Sequence, residues 1–193
     1  KKNINLNLNN QIQNMKFVYR DEIDGLRAIA VLSVVFYHAG FSYFSGGFVG
    51  VDIFFVISGY LIGNIILKEI LSTRFSFLNF YNRRARRLLP VLLFIILFSN
   101  IFAFIFLSMS ELSEYLKSSL SGIFFYSNFF FWKNAPYFSI GSELKPLLHL
   151  WSLSIEEQFY IVFPFLMIFL INYNTNVIYF FLILFFFLSL GLS

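Results

Sequence analysis

Arg27 and His38 lie eleven residues apart in a stretch that is otherwise largely apolar. On an α-helix that spacing leaves them about 20° apart around the axis and about 16 Å apart along it, so they share one face. Both side chains are costly in a bilayer and are expected to face a protein interior or a wet cavity. An imidazole titrates near neutrality, which suits it to take the proton of a hydroxyl as that hydroxyl attacks an activated acyl carbonyl. The plainer alternative is a capping arginine and an interfacial histidine. Asp52, near the start of the next apolar run, needs a partner or water. It could pair with a basic residue or orient an imidazole by accepting its N–H.

Two further clusters could do chemistry. Arg83, Arg84, Arg86 and Arg87 fall within five residues, ahead of Pro90. Guanidinium forks suit the phosphates of a nucleotide or coenzyme, and Arg84 and Arg87, at i and i+3, would share one side of a helix. The alternative is a topology signal or a contact with anionic headgroups. In Leu148–Tyr160, a helix would set His149, Ser152 and Glu156 along one stripe. Glu156 and Glu157 lead into an apolar run and are poor candidates to face lipid. The alternative for them is a helix N-terminus whose dipole favours glutamate.

The elements that must position these residues are membrane helices. Of 193 residues 59% are hydrophobic and only 12% charged, about half the charge of an ordinary soluble domain. A soluble fold could not cover that much apolar surface, whereas a bilayer solvates it directly. The net charge of +4 comes from basic residues placed between apolar runs, which is the positive-inside pattern and not a nucleic-acid footprint. With no cysteine, disulfides, thiolate zinc sites and cysteine nucleophiles are excluded. Candidate spans are Leu26–Ala39, Gly47–Leu67, Leu88–Ser108, Pro146–Ile171 with Pro164 as a kink, and Val177–Ser193. The segment Leu112–Trp132 could span, re-enter or lie in the interface. Gly46 with Gly50, and Gly59 with Gly63, are small-xxx-small pairs that let helices approach.

The expected fold class is all-α, a polytopic transmembrane bundle with five to six spans. Lys1, Lys2, Lys16 and Arg20 precede the first span, and the arginine cluster reads as a loop between the second and third. Both therefore belong on the cytoplasmic side, and the uncharged Gly40–Gly46 turn faces outward. Residues 1–16 are expected to form a disordered cytoplasmic tail, and 17–193 the membrane domain. The chain stops at Leu192–Ser193 with no polar tail after an apolar run, so it is expected to be a piece of a longer protein.

At these residues the sequence resembles the acyltransferase family 3 membrane proteins, bacterial acyl-CoA-dependent O-acyltransferases of lipopolysaccharide O-antigen, peptidoglycan and related glycans. Tyr19–Val31 with Tyr37-His38 is similar to the family's opening motif, and Gly46–Leu61 to its second-helix signature. Arg84-Ala85-Arg86-Arg87 resembles its paired-arginine motif, and Leu147–Tyr160 its Leu-His-x-Trp-Ser-Leu block. The resemblance covers roughly residues 17–166.

The resemblance implies that His38 is the catalytic base or an acyl carrier, with Arg27 functionally important beside it. It implies that Arg84 and Arg87 hold acyl-CoA, most simply acetyl-CoA, from the cytoplasmic side, and that Asp52, His149 and Glu156 shape the site. No metal and no nucleic acid are implied. The partners would be membrane lipid, acyl-CoA and a glycan or lipid-linked glycan acceptor, in the bacterial inner membrane. The family has about ten spans, and some members add a C-terminal SGNH hydrolase-like domain. A non-enzymatic transporter of lipid-linked glycan is the rival reading, and an inactive family member that only assembles with partners is a third.

Overall fold

The computed structural model describes residues 20–134 and 145–170, together with Phe180, Ile183, Leu184 and Phe187. Among these the chain is helical throughout. The helices are α1 Asp21–His38, α2 Gly50–Leu71, α3 Phe77–Phe106, α4 Met109–Ile123, α5 Ser127–Asn134 and α6 Leu150–Leu170, with short 3-10 turns at Ser42–Phe44 and Gly47–Val49. The expected tail over 1–16 and most of the apolar run Val177–Ser193 lie outside the described residues.

Among the described residues, three segments are long and apolar enough to cross a membrane: Gly47–Leu71, Phe77–Phe106 and Leu150–Leu170. The first candidate, expected over Leu26–Ala39, begins earlier. Its helix takes in Asp21, Glu22, Asp24 and Arg27, and those charges keep it out of this group.

The run of arginines is not a loop. Phe77–Phe106 is one helix of 30 residues, opened by Ser76, whose side chain accepts from the Asn79 N–H. At 1.5 Å per residue it is about 45 Å long, against a hydrocarbon core of about 30 Å. The first eleven residues hold the arginines beyond the apolar stretch without breaking the helix. Further along, Phe94, Phe98, Phe102 and Phe106 form an exposed ladder at i, i+4 spacing, with ring centroids 6.0, 5.0 and 6.3 Å apart. This is a face that a bilayer would solvate.

Leu112–Trp132 is a helical hairpin. Its two helices have 15 and 8 residues, both short of a span. Ser108 and Glu111 form a capping box at the start of α4. The serines that made the segment hard to read are buried against α5 and α6. Ser121 Oγ lies 3.0 Å from Ser127 Oγ, and the Ser127 N–H donates to Ser154 Oγ at 3.2 Å. Asn128 and Gln158 exchange amide hydrogen bonds at 3.1 and 3.0 Å, and Gln158 also donates to the Phe125 carbonyl.

Of the two glycine pairs expected to let helices approach, Gly50 does so between α1 and α2, with Gly47 in place of Gly46. A Cβ on Gly47 would stand 2.2 Å from the Ser33 carbonyl oxygen, and one on Gly50 2.5 Å from that of Ala30. Gly46 and Gly59 face open space, and Gly63 only touches Phe163 at an ordinary 3.7 Å. The core that ties α2, α3 and α6 together is Ile62, Ile66, Phe80 and Tyr160.

Candidate active site

His38 owes its position to the way α1 stops. Gly40 adopts a left-handed φ of +78°, which costs glycine little. The Phe41 N–H then reaches back to the Phe36 carbonyl at 3.1 Å, and the Phe36 and Phe41 rings meet edge to face at 5.4 Å. This is a Schellman stop with its hydrophobic contact, and it leaves His38 in the last helical residue. The ring is held in turn, because Nδ1 lies 2.8 Å from the Val34 carbonyl oxygen. A carbonyl only accepts, so Nδ1 carries the hydrogen and Nε2 is the basic nitrogen.

The second wall is His149. The two are the only histidines of the chain, 111 residues apart, and their rings meet perpendicular with centroids 4.6 Å apart. His149 sits in the turn before α6, pinned by Leu147 and Leu148, each 3% exposed and each in a separate apolar cluster. Partial burial and, next, the neighbouring His38 hold the His149 imidazole below its usual range. The unfolded chain, with an imidazole pKa of about 6.5, therefore binds the extra proton first. Stability is full above that value and is lost as pH falls through it. The unfolding temperature of the detergent-solubilised full-length protein should drop as pH falls below about 6.5, and His149→Gln should flatten that drop.

Beyond the histidines a cavity of about 420 Å³ opens between α1, α2, α3 and α6. Arg27, Arg84 and Arg87 line it, facing Glu156 and Glu157. The four clustered arginines are thereby sorted. Arg83 is paired with Glu69 at 2.7 Å, and Arg86 donates to Asn82 at 3.0 Å. Arg84 lies flat on Tyr160, its guanidinium carbon 3.3 Å from the ring centroid, a cation–π contact that fixes its direction. Arg87 stays exposed at the cavity. Arg27 makes a long contact of 3.8 Å with Asp24.

Glu156 is held by two hydroxyls. Ser58 of α2 donates to Oε1 at 2.8 Å, and Tyr160 donates to the same oxygen. Ser58, Glu157 and Tyr160 were not singled out as site residues from the sequence. A hydroxyl and a carboxylate facing each other across two apolar spans were the available signal. Ser152, expected on the same stripe, instead bonds the His149 carbonyl. Asp52 is exposed in the first turn of α2, at the histidine end, and does not line the cavity. Among the described residues no three His, Asp or Glu side chains converge as a metal site.

The cavity thus gathers three arginines and two glutamates, and the paired histidines lie outside its lining. The family model described as an acyltransferase domain, that of acyltransferase family 3, matches residues 20–193. The chain belongs to that family. It is 42% identical over 156 residues to the O-acetyltransferase OatA of Staphylococcus aureus (strain NCTC 8325 / PS 47), covering 80% of this chain and 26% of that protein. It is 43% identical over 155 residues to the peptidoglycan O-acetyltransferase OatA of Listeria monocytogenes, covering 79% of this chain and 25% of the relative. The chain therefore spans about a quarter of the length of these relatives. No solved structure matches it.

Proposed function

We propose that the chain is the donor-handling part of a bacterial membrane O-acyltransferase, moving an acyl group from acyl-CoA to a hydroxyl of a cell-surface glycan. The names of the relatives favour acetyl as the group and peptidoglycan as the acceptor class. In this reading residues 17–193 contribute five to six of about ten spans in the inner membrane. The tail and the arginine end lie in the cytoplasm, and α1 spans with its charges turned into the bundle.

The observation that carries the reading is the cavity itself. It gathers Arg27, Arg84 and Arg87 at one end. At the other it reaches Leu153, one helical turn from His149. Arginines hold the donor phosphates bidentately, and the acyl arm runs along the cavity to the histidines. There the acceptor oxygen attacks the thioester carbon while His38 Nε2 takes its proton. The C–S bond breaks, and the thiolate leaves and recovers that proton. Where the acyl group instead rests first on His38, trapping acylated His38 identifies the carrier route. His149 and Asp52 shape the mouth at that end.

Arg87→Ala tests the donor end. The KM for acetyl-CoA should rise about tenfold, the loss of one charge-assisted hydrogen bond, with kcat little changed. Coenzyme A binding of unchanged affinity in this variant would move the donor site elsewhere. Mass spectrometry of the cell-wall glycan with and without the intact gene would identify the acyl group and its acceptor.

A further inference from the structure

The cavity's lining on α2 runs from Phe54 to Ile65, eleven residues or about 16 Å of helix. Over that length the α2 wall is apolar but for Ser58, while α6 faces it with Leu153, Glu156, Glu157 and Tyr160. Ser58 stands four residues from Phe54, and Glu156 reaches it from α6 at 2.8 Å. Oε1 of Glu156 takes both the Ser58 and the Tyr160 hydroxyls. Its other oxygen takes no hydrogen bond from any described group, and the residue lines the cavity.

We propose that the Ser58–Glu156–Tyr160 node is a subsite for an amide N–H of a pantetheine-type donor arm; this rests on the acyl-CoA reading given above. An arm of methylenes interrupted by secondary amides matches the apolar α2 wall with its one polar station at Ser58 and Glu156. A carboxylate oxygen accepts an amide N–H in a charge-assisted bond, stronger than a neutral one. A cationic ligand suits the site poorly, because three arginines outnumber the two glutamates in the same cavity. The two hydroxyls fix the carboxylate before the arm arrives, so little ordering is left to be done on binding.

The test uses the full-length protein in lipid nanodiscs. Binding is measured for coenzyme A and for analogues in which each of its two pantetheine amides is replaced, one at a time, by an ester. That change removes the N–H and keeps the length. The wild type should bind one of the two esters at least tenfold more weakly, the loss expected for a hydrogen bond to a charged group. In Glu156→Gln, the amide oxygen still satisfies Ser58 and Tyr160, so the NH2 is turned into the cavity. That variant should bind coenzyme A about tenfold more weakly and treat amide and ester alike. Equal binding of amide and esters by the wild type overturns the subsite, as does discrimination retained in Glu156→Gln. Failure of coenzyme A to bind the wild type at all overturns the donor reading and the subsite with it. If Glu156→Gln does not accumulate, the wild-type ester series decides alone.

Discussion

His38→Ala in the full-length protein should lower O-acylation of the cell-wall glycan by about a hundred- to ten-thousand-fold, the usual worth of a general base. The protein should still reach the membrane in normal amount, because the imidazole is exposed and its Nδ1 is anchored on a carbonyl of its own helix. Glycan mass spectrometry and a membrane immunoblot read the two quantities separately. His149→Ala should cost less, since its ring meets His38 and does not carry the proton. Wild-type acylation in His38→Ala would remove this residue from the mechanism and favour a transporter, in which the same charges line a pathway.

Gly47→Ala and Gly50→Ala should each destabilise the protein by about 1–3 kcal/mol or more, the range for forcing extra volume into a packed contact. The upper end applies because the atoms met are backbone carbonyls of α1, at 2.2 and 2.5 Å, which cannot rotate away. The control is Gly59→Ala in the same helix, where a Cβ meets nothing within 4 Å. There the gain in helix propensity, about 0.5–1 kcal/mol, should dominate. Thermal unfolding in detergent ranks the three. Acylation should fall with the first two as well, because pushing α1 off α2 carries His38 away from His149. Unfolding temperatures for Gly50→Ala at or above the wild type would show that α1 can yield without loss.

Much of the site was legible in local spacing. Eleven residues between Arg27 and His38 on one helix put a guanidinium and an imidazole on a common face; Arg27 lines the cavity, while His38 is exposed at the end of α1 against His149. Arg84 and Arg87 at i and i+3 meet in one cavity for the same reason. Features that depend on contacts between distant segments were not legible. Nothing in the sequence around His149 says that its neighbour is His38, 111 residues earlier. The arginine run read as a loop because charge was weighed above propensity, although arginine is a good helix former. Leu112–Trp132 stayed open because its serines looked too polar for lipid and its aromatics too apolar for water. They are satisfied by one another, as in Ser121–Ser127 and Ser127–Ser154. The Ser108–Glu111 capping signature was in the sequence and marks where that helix starts.

The contact at Gly47 and Gly50 also bears on biogenesis. α1 carries Asp21, Glu22, Asp24 and Arg27. A charged residue near the middle of a lone segment costs about 2.5–3.5 kcal/mol on insertion scales, less towards its ends. α2 is the apolar partner, and its first turn and the turn before it are shaped to α1. On the proposed reading, in which α1 spans, the first helix would partition as half of a hairpin, and its entry would wait until α2 has left the ribosome. Anchor and active centre would then be made in the same event, the imidazole reaching its position against His149 only when the hairpin has closed.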